Sequence, residues 1–235
     1  MGNEDTLVTF PVKLIVPLLL KTLADSDSVL ASHACRALIY MMEALPRSCG
    51  VIAASGISAF LAKLQACGEC GVEVAEQALT ALESLSRRYS KQILSAPGAI
   101  GACLAYIDFF SIGAQRSALH ITANCCQNMV KEEFVHVQAS LAGLAQRLLH
   151  SDKKSVECVC TLFARLVETF QREASILREI ASHGVLANMQ QLILQHQPAA
   201  SVVSSAMLVT ILHTVYLMCV NCNELAVDLL ESGVA

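Results

Sequence analysis

Two pairs of cysteines have a spacing that serves metal binding and redox chemistry. Cys67-Gly68-Glu69-Cys70 and Cys219-Val220-Asn221-Cys222 are both C-x-x-C, and two such pairs can bind one zinc ion when they lie side by side. The two pairs fall in the second and fifth units of the repeat described below, and only adjacent units of a repeat array touch. We therefore predict free thiols near helix ends and no metal.

Other residues that could do chemistry form no motif either. The seven histidines are dispersed without an H-E-x-x-H spacing, and the stretch from Gly98 to Gly101 lacks the Lys-Ser/Thr of a phosphate-binding loop. No Ser, His and Asp trio can be nominated from spacing alone. We predict no catalytic residue, no metal and no cofactor in this chain, so that it is not an enzyme by itself.

The eleven cysteines also indicate a compartment. Their number is odd, they are scattered through apolar stretches, and no secretory signal precedes them. Cysteines of this kind are reduced thiols that pack as small hydrophobic side chains. A cytosolic or nuclear (nucleoplasmic) location is therefore expected.

Composition limits the classes of partner. The chain is 54% hydrophobic and 15% charged, has no Trp and carries a net charge of -4, which gives no reason to expect nucleic acid binding. The stretch from Val202 to Val220 has no formal charge and reaches the length of a membrane helix. It contains Ser204, Thr210 and His213, however, and a helix buried on all sides by its neighbours explains it as well. We predict no membrane insertion.

A glycine recurs at the end of each unit of an internal repeat. Gly56 and Gly98 are 42 positions apart, Gly98 and Gly184 about twice that, and Gly233 follows after a longer unit. Within each unit a short amphipathic segment, a polar turn, a longer segment with an apolar 3–4 stripe and a third short segment such as 90–96 recur. A left-handed glycine after the third segment would let the next unit turn sharply.

Three helices in about 42 residues, ended by Gly, are typical of armadillo repeats, with two-helix HEAT repeats as the near alternative. One unit cannot bury its own apolar stripe, so neighbouring units must stack. We predict an all-α, armadillo-type right-handed solenoid of about five repeats. The predicted single array has the units 1–56, 57–98, 99–140, 141–184 and 185–235.

The longer helix of each armadillo unit presents its inner face to a concave groove, with side chains at a spacing of four. Matching each unit to this pattern predicts a partner-binding ladder, in which Arg supplies paired donors and Tyr supplies rigid contact area. The predicted ladder comprises Arg36, Tyr40, Thr80, Ser84, Arg87, His120, Asn124, Gln127, Thr161, Arg165, His213 and Tyr216.

Several longer runs resemble one family. They are 35–48 (CRALIYMMEALPRS), 74–88 (VAEQALTALESLSRR), 108–112 (DFFSI), 123–127 (ANCCQ) and 152–157 (DKKSVE). These runs are similar to the N-terminal armadillo region of the HECT-type E3 ubiquitin ligases of the thyroid hormone receptor interactor twelve and ubiquitin-fusion-degradation family. The resemblance covers essentially the whole chain.

The resemblance implies a role beside a catalytic domain that this chain lacks. In the family, a C-terminal HECT domain takes ubiquitin from an E2 onto a catalytic Cys and passes it to a substrate Lys. The armadillo region is implied to hold the protein substrate or its degron, including a substrate that already carries ubiquitin. The resemblance also implies a nuclear location and a place in the ubiquitin-fusion-degradation type of proteasomal pathway.

Two other functions remain open at the level of sequence. A stand-alone armadillo adaptor or scaffold, such as an import adaptor, would have no role in ubiquitin transfer. Import adaptors line their groove with Trp and Asn, and this chain has no Trp. The other alternative, that the chain is a membrane protein, is supported by the stretch from Val202 to Val220 alone.

Overall fold

The computed structural model describes residues 9–195 and 202–231, and within those ranges the chain forms helices and no strand. The chain divides into two compact units, unit 1 (Met1–Ile121) and unit 2 (Thr122–Ala235). Unit 1 contains α1 (Val12–Leu23), α2 (Ser28–Ala44), α3 (Ser48–Gln65), α4 (Cys67–Cys70), α5 (Val72–Leu94), α6 (Ala99–Leu104), a 3-10 turn (Ile107–Phe109) and most of α7 (Ile112–Cys126).

Unit 2 begins within the last residues of α7. It continues with a 3-10 turn (Lys131–Glu133), α8 (Val135–Gln138), α9 (Leu141–Gln146), a second 3-10 turn (Arg147–Leu149), α10 (Lys153–Thr169), α11 (Ala174–Ser182), α12 (Val185–Leu194), α13 (Ser205–Asn221) and α14 (Asn223–Glu231). The prediction of an all-α fold is confirmed, whereas the predicted single array of five units stays a prediction.

The long helices begin at the polar turns of the sequence. The Asp27 carboxylate accepts the backbone N–H groups of Val29 (2.8 Å) and Leu30 (3.2 Å) at the start of α2. The Asp152 carboxylate accepts from the N–H of Ser155 (2.8 Å) at the start of α10. Such caps pair N–H groups that have no acceptor within the first helical turn. They fix where each long helix starts and therefore which residues face the core.

The repeat glycines divide into two kinds. Gly98 and Gly184 have left-handed backbones (φ 69° and 83°) immediately before α6 and α12, as the repeat pattern predicts. Gly56 does not end a helix, because α3 runs through it without a break. A Cβ at Gly56 would lie 3.2 Å from Leu20 Cδ2, so this glycine serves close helix packing. Gly233 lies outside the described residues.

We expect Gly98 to be required because its backbone is left-handed, and not because a side chain would lack room at this position. A Cβ added at Gly98 or at Gly101, three residues later in α6, would meet no atom within 4 Å. Gly98→Ala should lower the free energy of unfolding by about 1–2 kcal/mol, because alanine is strained at positive φ. Gly101→Ala should raise it by about 0.5–1 kcal/mol, since alanine is favoured inside a helix. Urea unfolding of the two variants measures both, and equal changes would contradict the assignment.

The apolar segment near the end of the chain is not buried on all sides. It forms α13, which packs Ile211, Thr214 and Met218 inward and exposes Leu212 and Tyr216. A bend of 120° separates α13 from α14. Within the described residues, the helix that is by itself long and apolar enough to cross a membrane is Ser48–Gln65, of which 44% is buried.

Candidate partner-binding site

The predicted ladder residues occupy one register of five helices, α2, α5, α7, α10 and α13, here called the ladder helices. We number positions from the first residue of each ladder helix. Position 9 is Arg36, Thr80, His120, Thr161 and His213 in turn. Position 13 is Tyr40, Ser84, Asn124 and Arg165 in the first four ladder helices, and position 16 includes Arg87 and Gln127.

These side chains reach the surface of their own unit. Asn124, Thr161 and Arg165 are half-buried, and the other nine ladder residues are exposed. The last ladder helix departs from the pattern, because its position 13 is Leu217, which is buried. Tyr216 stands at position 12 instead. His213 and Tyr216 are three residues apart, and both rings are exposed and stack with centroids 6.2 Å apart. Their place in the ladder stays a prediction.

Contacts between successive ladder helices hold the arginine of α2 in place. The Arg36 guanidinium lies 3.6 Å from the Glu73 carboxylate of α5 and donates to Ser32 Oγ (3.4 Å). The Gln77 amide of α5 donates to Ser32 Oγ (3.0 Å) and to Glu73 (3.1 Å). An exposed ion pair of this kind adds little stability. It does limit the conformations of Arg36, so that further N–H donors of the guanidinium are presented in a defined direction.

Glu83, at position 12 of α5, is a functional candidate that sequence reasoning missed. Its carboxylate accepts from Ser117 Oγ (2.6 Å), contacts His120 Nδ1 at 2.9 Å and lies 3.8 Å from the guanidinium of Arg87. The hydrogen bond from His120, then that from Ser117 and the charge of Arg87, lower the pKa of Glu83 although partial burial opposes them. Glu83 thereby orients two ladder residues.

The lowered pKa makes part of the stability of unit 1 depend on pH. A group whose pKa is lower in the folded state stabilises the fold above its unfolded pKa, near 4.5 for Glu83, and loses that contribution as the pH falls through the folded pKa. We expect Glu83→Gln to lower the free energy of unfolding by about 1–2 kcal/mol at pH 7, because hydrogen bonds to a charged group are lost.

The difference between Glu83→Gln and the wild type should shrink as the pH falls below 4.5, since the wild-type carboxylate is then protonated. Glu43→Gln, at exposed position 16 of α2, is the matched control and should change stability by less than about 0.5 kcal/mol. Urea unfolding from pH 7 to pH 3 checks both. A destabilisation by Glu83→Gln that stays constant down to pH 3 would refute a charged role for Glu83.

In unit 2, contacts link the end of α7 to α10. The Arg165 guanidinium donates to the side-chain oxygen of Asn124. The Thr169 hydroxyl donates to the backbone oxygens of Cys126 (2.9 Å) and Gln127 (3.1 Å). These bonds fix two position-13 side chains against each other, and they pair carbonyls at the end of α7 that lack donor partners within the helix.

The cysteines do not contribute a reactive group to this face. None of the eleven, all of which lie in the described ranges, forms a disulfide bond, and nine of them are buried. Burial raises the pKa of the Cys35, Cys125 and Cys160 thiols to about 12. A thiol with such a pKa stays protonated at neutral pH and is a poor nucleophile and metal ligand. Among the described residues, no group of three or more His, Cys, Asp and Glu is placed to hold a metal ion.

Solved structures with this arrangement of helices are armadillo repeat proteins. A designed armadillo repeat protein matches 93% of this chain and 88% of its own length with a TM-score of 0.75 and 15% identity. A second, solved in complex with the peptide (KR)4, matches 85% of this chain and 80% of its own with a TM-score of 0.64 and 14% identity. At these identities the similarity concerns the fold alone. The chain is an armadillo-type α-solenoid.

Sequence relatives define the family. The chain is 51% identical to the E3 ubiquitin-protein ligase TRIP12 of Danio rerio over 236 aligned residues that cover the whole chain. It is 33% identical to the E3 ubiquitin-protein ligase UPL3 of Arabidopsis thaliana over 82% of the chain, and 30% identical over 63% to a probable ubiquitin fusion degradation protein of Schizosaccharomyces pombe. No family model matches the chain.

The chain therefore belongs, as a homologous region, to the TRIP12, UPL3 and UFD4 family of HECT E3 ubiquitin ligases. It spans about a tenth of the length of the relatives it matches, 11% for TRIP12 and 10% for UPL3. The resemblance seen in the sequence is confirmed.

Proposed function

We propose that this chain is the partner-binding armadillo region of a HECT-type E3 ubiquitin ligase, and that it holds a protein substrate or its degron while a HECT domain elsewhere in the polypeptide transfers ubiquitin. The observation that carries the proposal is the register of the ladder, in which exposed or half-buried polar and aromatic side chains recur at position 9 of all five ladder helices and at position 13 of the first four.

The chemistry of the ladder suits a segment of polypeptide chain. Arg36 and Arg165 offer paired N–H donors to carboxylates and carbonyl oxygens, and Asn124 offers an amide that can donate and accept. Tyr40, which is 64% exposed, offers a flat surface with little conformational entropy to lose. The structural neighbour solved with the peptide (KR)4 supports a peptide as the bound form.

Binding of this kind supports catalysis through proximity. In the proposed ligase, the HECT domain binds the E2 and supplies the catalytic cysteine. A substrate held by the ladder reaches the HECT domain within one polypeptide, and its lysines then meet the ubiquitin thioester at a raised effective concentration. The relatives named for ubiquitin fusion degradation support ubiquitin-bearing substrates, and we propose a nuclear location.

The test separates substrate docking from ubiquitin transfer. In the full-length ligase, Arg36, His120, Asn124 and Arg165 are replaced together with Ala. Ubiquitination of a non-cleavable ubiquitin-fusion reporter should fall at least about tenfold, which corresponds to about 1.4 kcal/mol of binding free energy. Formation of the ubiquitin thioester on the HECT domain should not change, since none of the four residues takes part in transfer.

The matched control replaces Lys91, His136, Arg172 and Gln191 with Ala, all of which are exposed and none of which lies at a ladder position. This variant should ubiquitinate the reporter at the wild-type rate. Loss of activity in the control together with full activity in the ladder variant would place the partner on another surface. A stand-alone adaptor without any role in ubiquitin transfer would leave both variants equal.

A further inference from the structure

Helix α13 exposes an apolar face of which only Tyr216 belongs to the predicted ladder. Val209, Leu212, Tyr216 and Val220 are exposed by 66%, 48%, 58% and 56%, and their spacing of three or four places them along one side of the helix. No Asp, Glu, Lys or Arg occurs in Ser205–Asn221. A continuous exposed apolar face of this kind marks a contact surface.

The ladder register identifies what such positions contact. At position 5 of α5, the Glu76 carboxylate accepts from the backbone N–H (2.6 Å) and the hydroxyl (3.0 Å) of Ser111, directly before α7. At position 12 of α5, Glu83 accepts from Ser117 of α7 (2.6 Å). Positions 5 and 12 therefore face the ladder helix of the following repeat.

Unit 2 shows the same geometry independently. At position 5 of α10, the Glu157 carboxylate accepts from the backbone N–H of Ser204 (3.0 Å), directly before α13. Val209 is position 5 of α13, Leu212 is position 8 and Tyr216 is position 12. Val209 and Tyr216 thus stand where the earlier ladder helices contact a successor, and Leu212 lies between them on the same side of the helix. These three residues are here called the α13 face.

The burial of equivalent positions supports this assignment. Position 8 is at most 1% exposed in the first four ladder helices, whereas Leu212 is 48% exposed. Position 12 is also buried where it is apolar, yet Tyr216 is 58% exposed. The covered equivalents are Cys35, Leu79, Leu119 and Cys160 at position 8, and Ile39, Ala123 and Ala164 at position 12.

We infer that the α13 face binds the long helix of a further armadillo-type repeat of the same polypeptide. The register gives the kind of occupant, since position 5 of α5 and of α10 and position 12 of α5 contact the next ladder helix or the residue directly before it. The length of the relatives gives the source, because this chain spans only 11% of TRIP12. The inference rests on the proposed longer polypeptide, and it assigns Tyr216 to the packing of the next repeat and not to the bound partner.

Site-specific photo-crosslinking in the full-length ligase tests the inference. Tyr216 is replaced with the photoreactive analogue p-benzoylphenylalanine, and the crosslinked peptide is identified by mass spectrometry. Tyr40→p-benzoylphenylalanine is the matched control, because Tyr40 is similarly exposed (64%) but lies at position 13. Position 216 should crosslink within the same polypeptide to a helical segment outside residues 1–235. Position 40 should give no such crosslink.

An equal mixture of isotopically light and heavy ligase distinguishes crosslinks within one polypeptide from crosslinks between two copies. Crosslinks between light and heavy chains would show that a second copy covers the face and would overturn the inference, as would crosslinks to another protein. A crosslinking yield at position 216 no higher than at position 40 would show that the α13 face is uncovered and would overturn the inference too.

The substitution Leu212→Glu gives a second measure. It should lower the melting temperature of the full-length ligase more than Leu194→Glu does, although Leu194 is 65% exposed. Equal shifts in the two variants would again contradict the inference. Reporter ubiquitination is measured in parallel, so that failure of the proposed function is seen separately.

Discussion

Phe163→Ala is expected to lower the free energy of unfolding of unit 2 by about 3–5 kcal/mol, the largest stability change among the substitutions considered. Phe163 is fully buried in α10, the ladder helix that packs against α13. Removing its ring loses the transfer free energy of the apolar atoms and leaves a cavity that rigid neighbouring helices fill only in part. The free energy of unfolding of a domain is about 5–15 kcal/mol, so this one substitution removes a large share of it.

The matched control is Phe109→Ala. Phe109 ends a 3-10 turn and is 76% exposed, so its replacement should change stability by less than about 0.5 kcal/mol. Urea unfolding followed by circular dichroism measures both variants. Similar small changes in the two would mean that α10 is not part of a packed core, and the assignment of the apolar stripe as the buried face would then be wrong.

The sequence was sufficient to predict the helices and much of the register. The apolar 3–4 stripe of each long segment is a local property, and Asp27 and Asp152 mark helix starts through hydrogen bonds within one turn. Positions 9 and 13 of four ladder helices follow directly from those two features. Gly98 and Gly184 could be predicted because a left-handed backbone is also a local requirement.

The rest depends on how neighbouring helices pack. Gly56 has the same sequence signal as Gly98, and only the approach of Leu20 shows that it serves packing within a continuous helix. Glu83 was missed because its partners Ser117 and His120 lie more than thirty positions away. Tyr216 was matched to the repeat pattern without a known helix start, and only the start at Ser205 reveals that Leu217 occupies position 13.

The second large effect concerns partner binding. In the ladder variant, Arg36, His120, Asn124 and Arg165 are all Ala, and two of the lost side chains, Arg165 and Asn124, are bonded to each other. Side chains that anchor an interface contribute about 1–2 kcal/mol or more each when truncated. Losses within a hydrogen-bonded pair are not additive. We therefore expect a loss of about 3 kcal/mol of binding free energy in total, which raises the dissociation constant roughly a hundredfold.

The most direct test of the ladder as a partner-binding surface is calorimetric titration of this chain with the non-cleavable ubiquitin-fusion reporter. It compares the wild type, the ladder variant and the control variant that lacks Lys91, His136, Arg172 and Gln191, after circular dichroism has shown that all three are equally helical. We predict that the wild type and the control bind with the same dissociation constant and that the ladder variant binds about a hundredfold more weakly. Equal affinities in all three, or no binding by the wild type, would contradict the proposal.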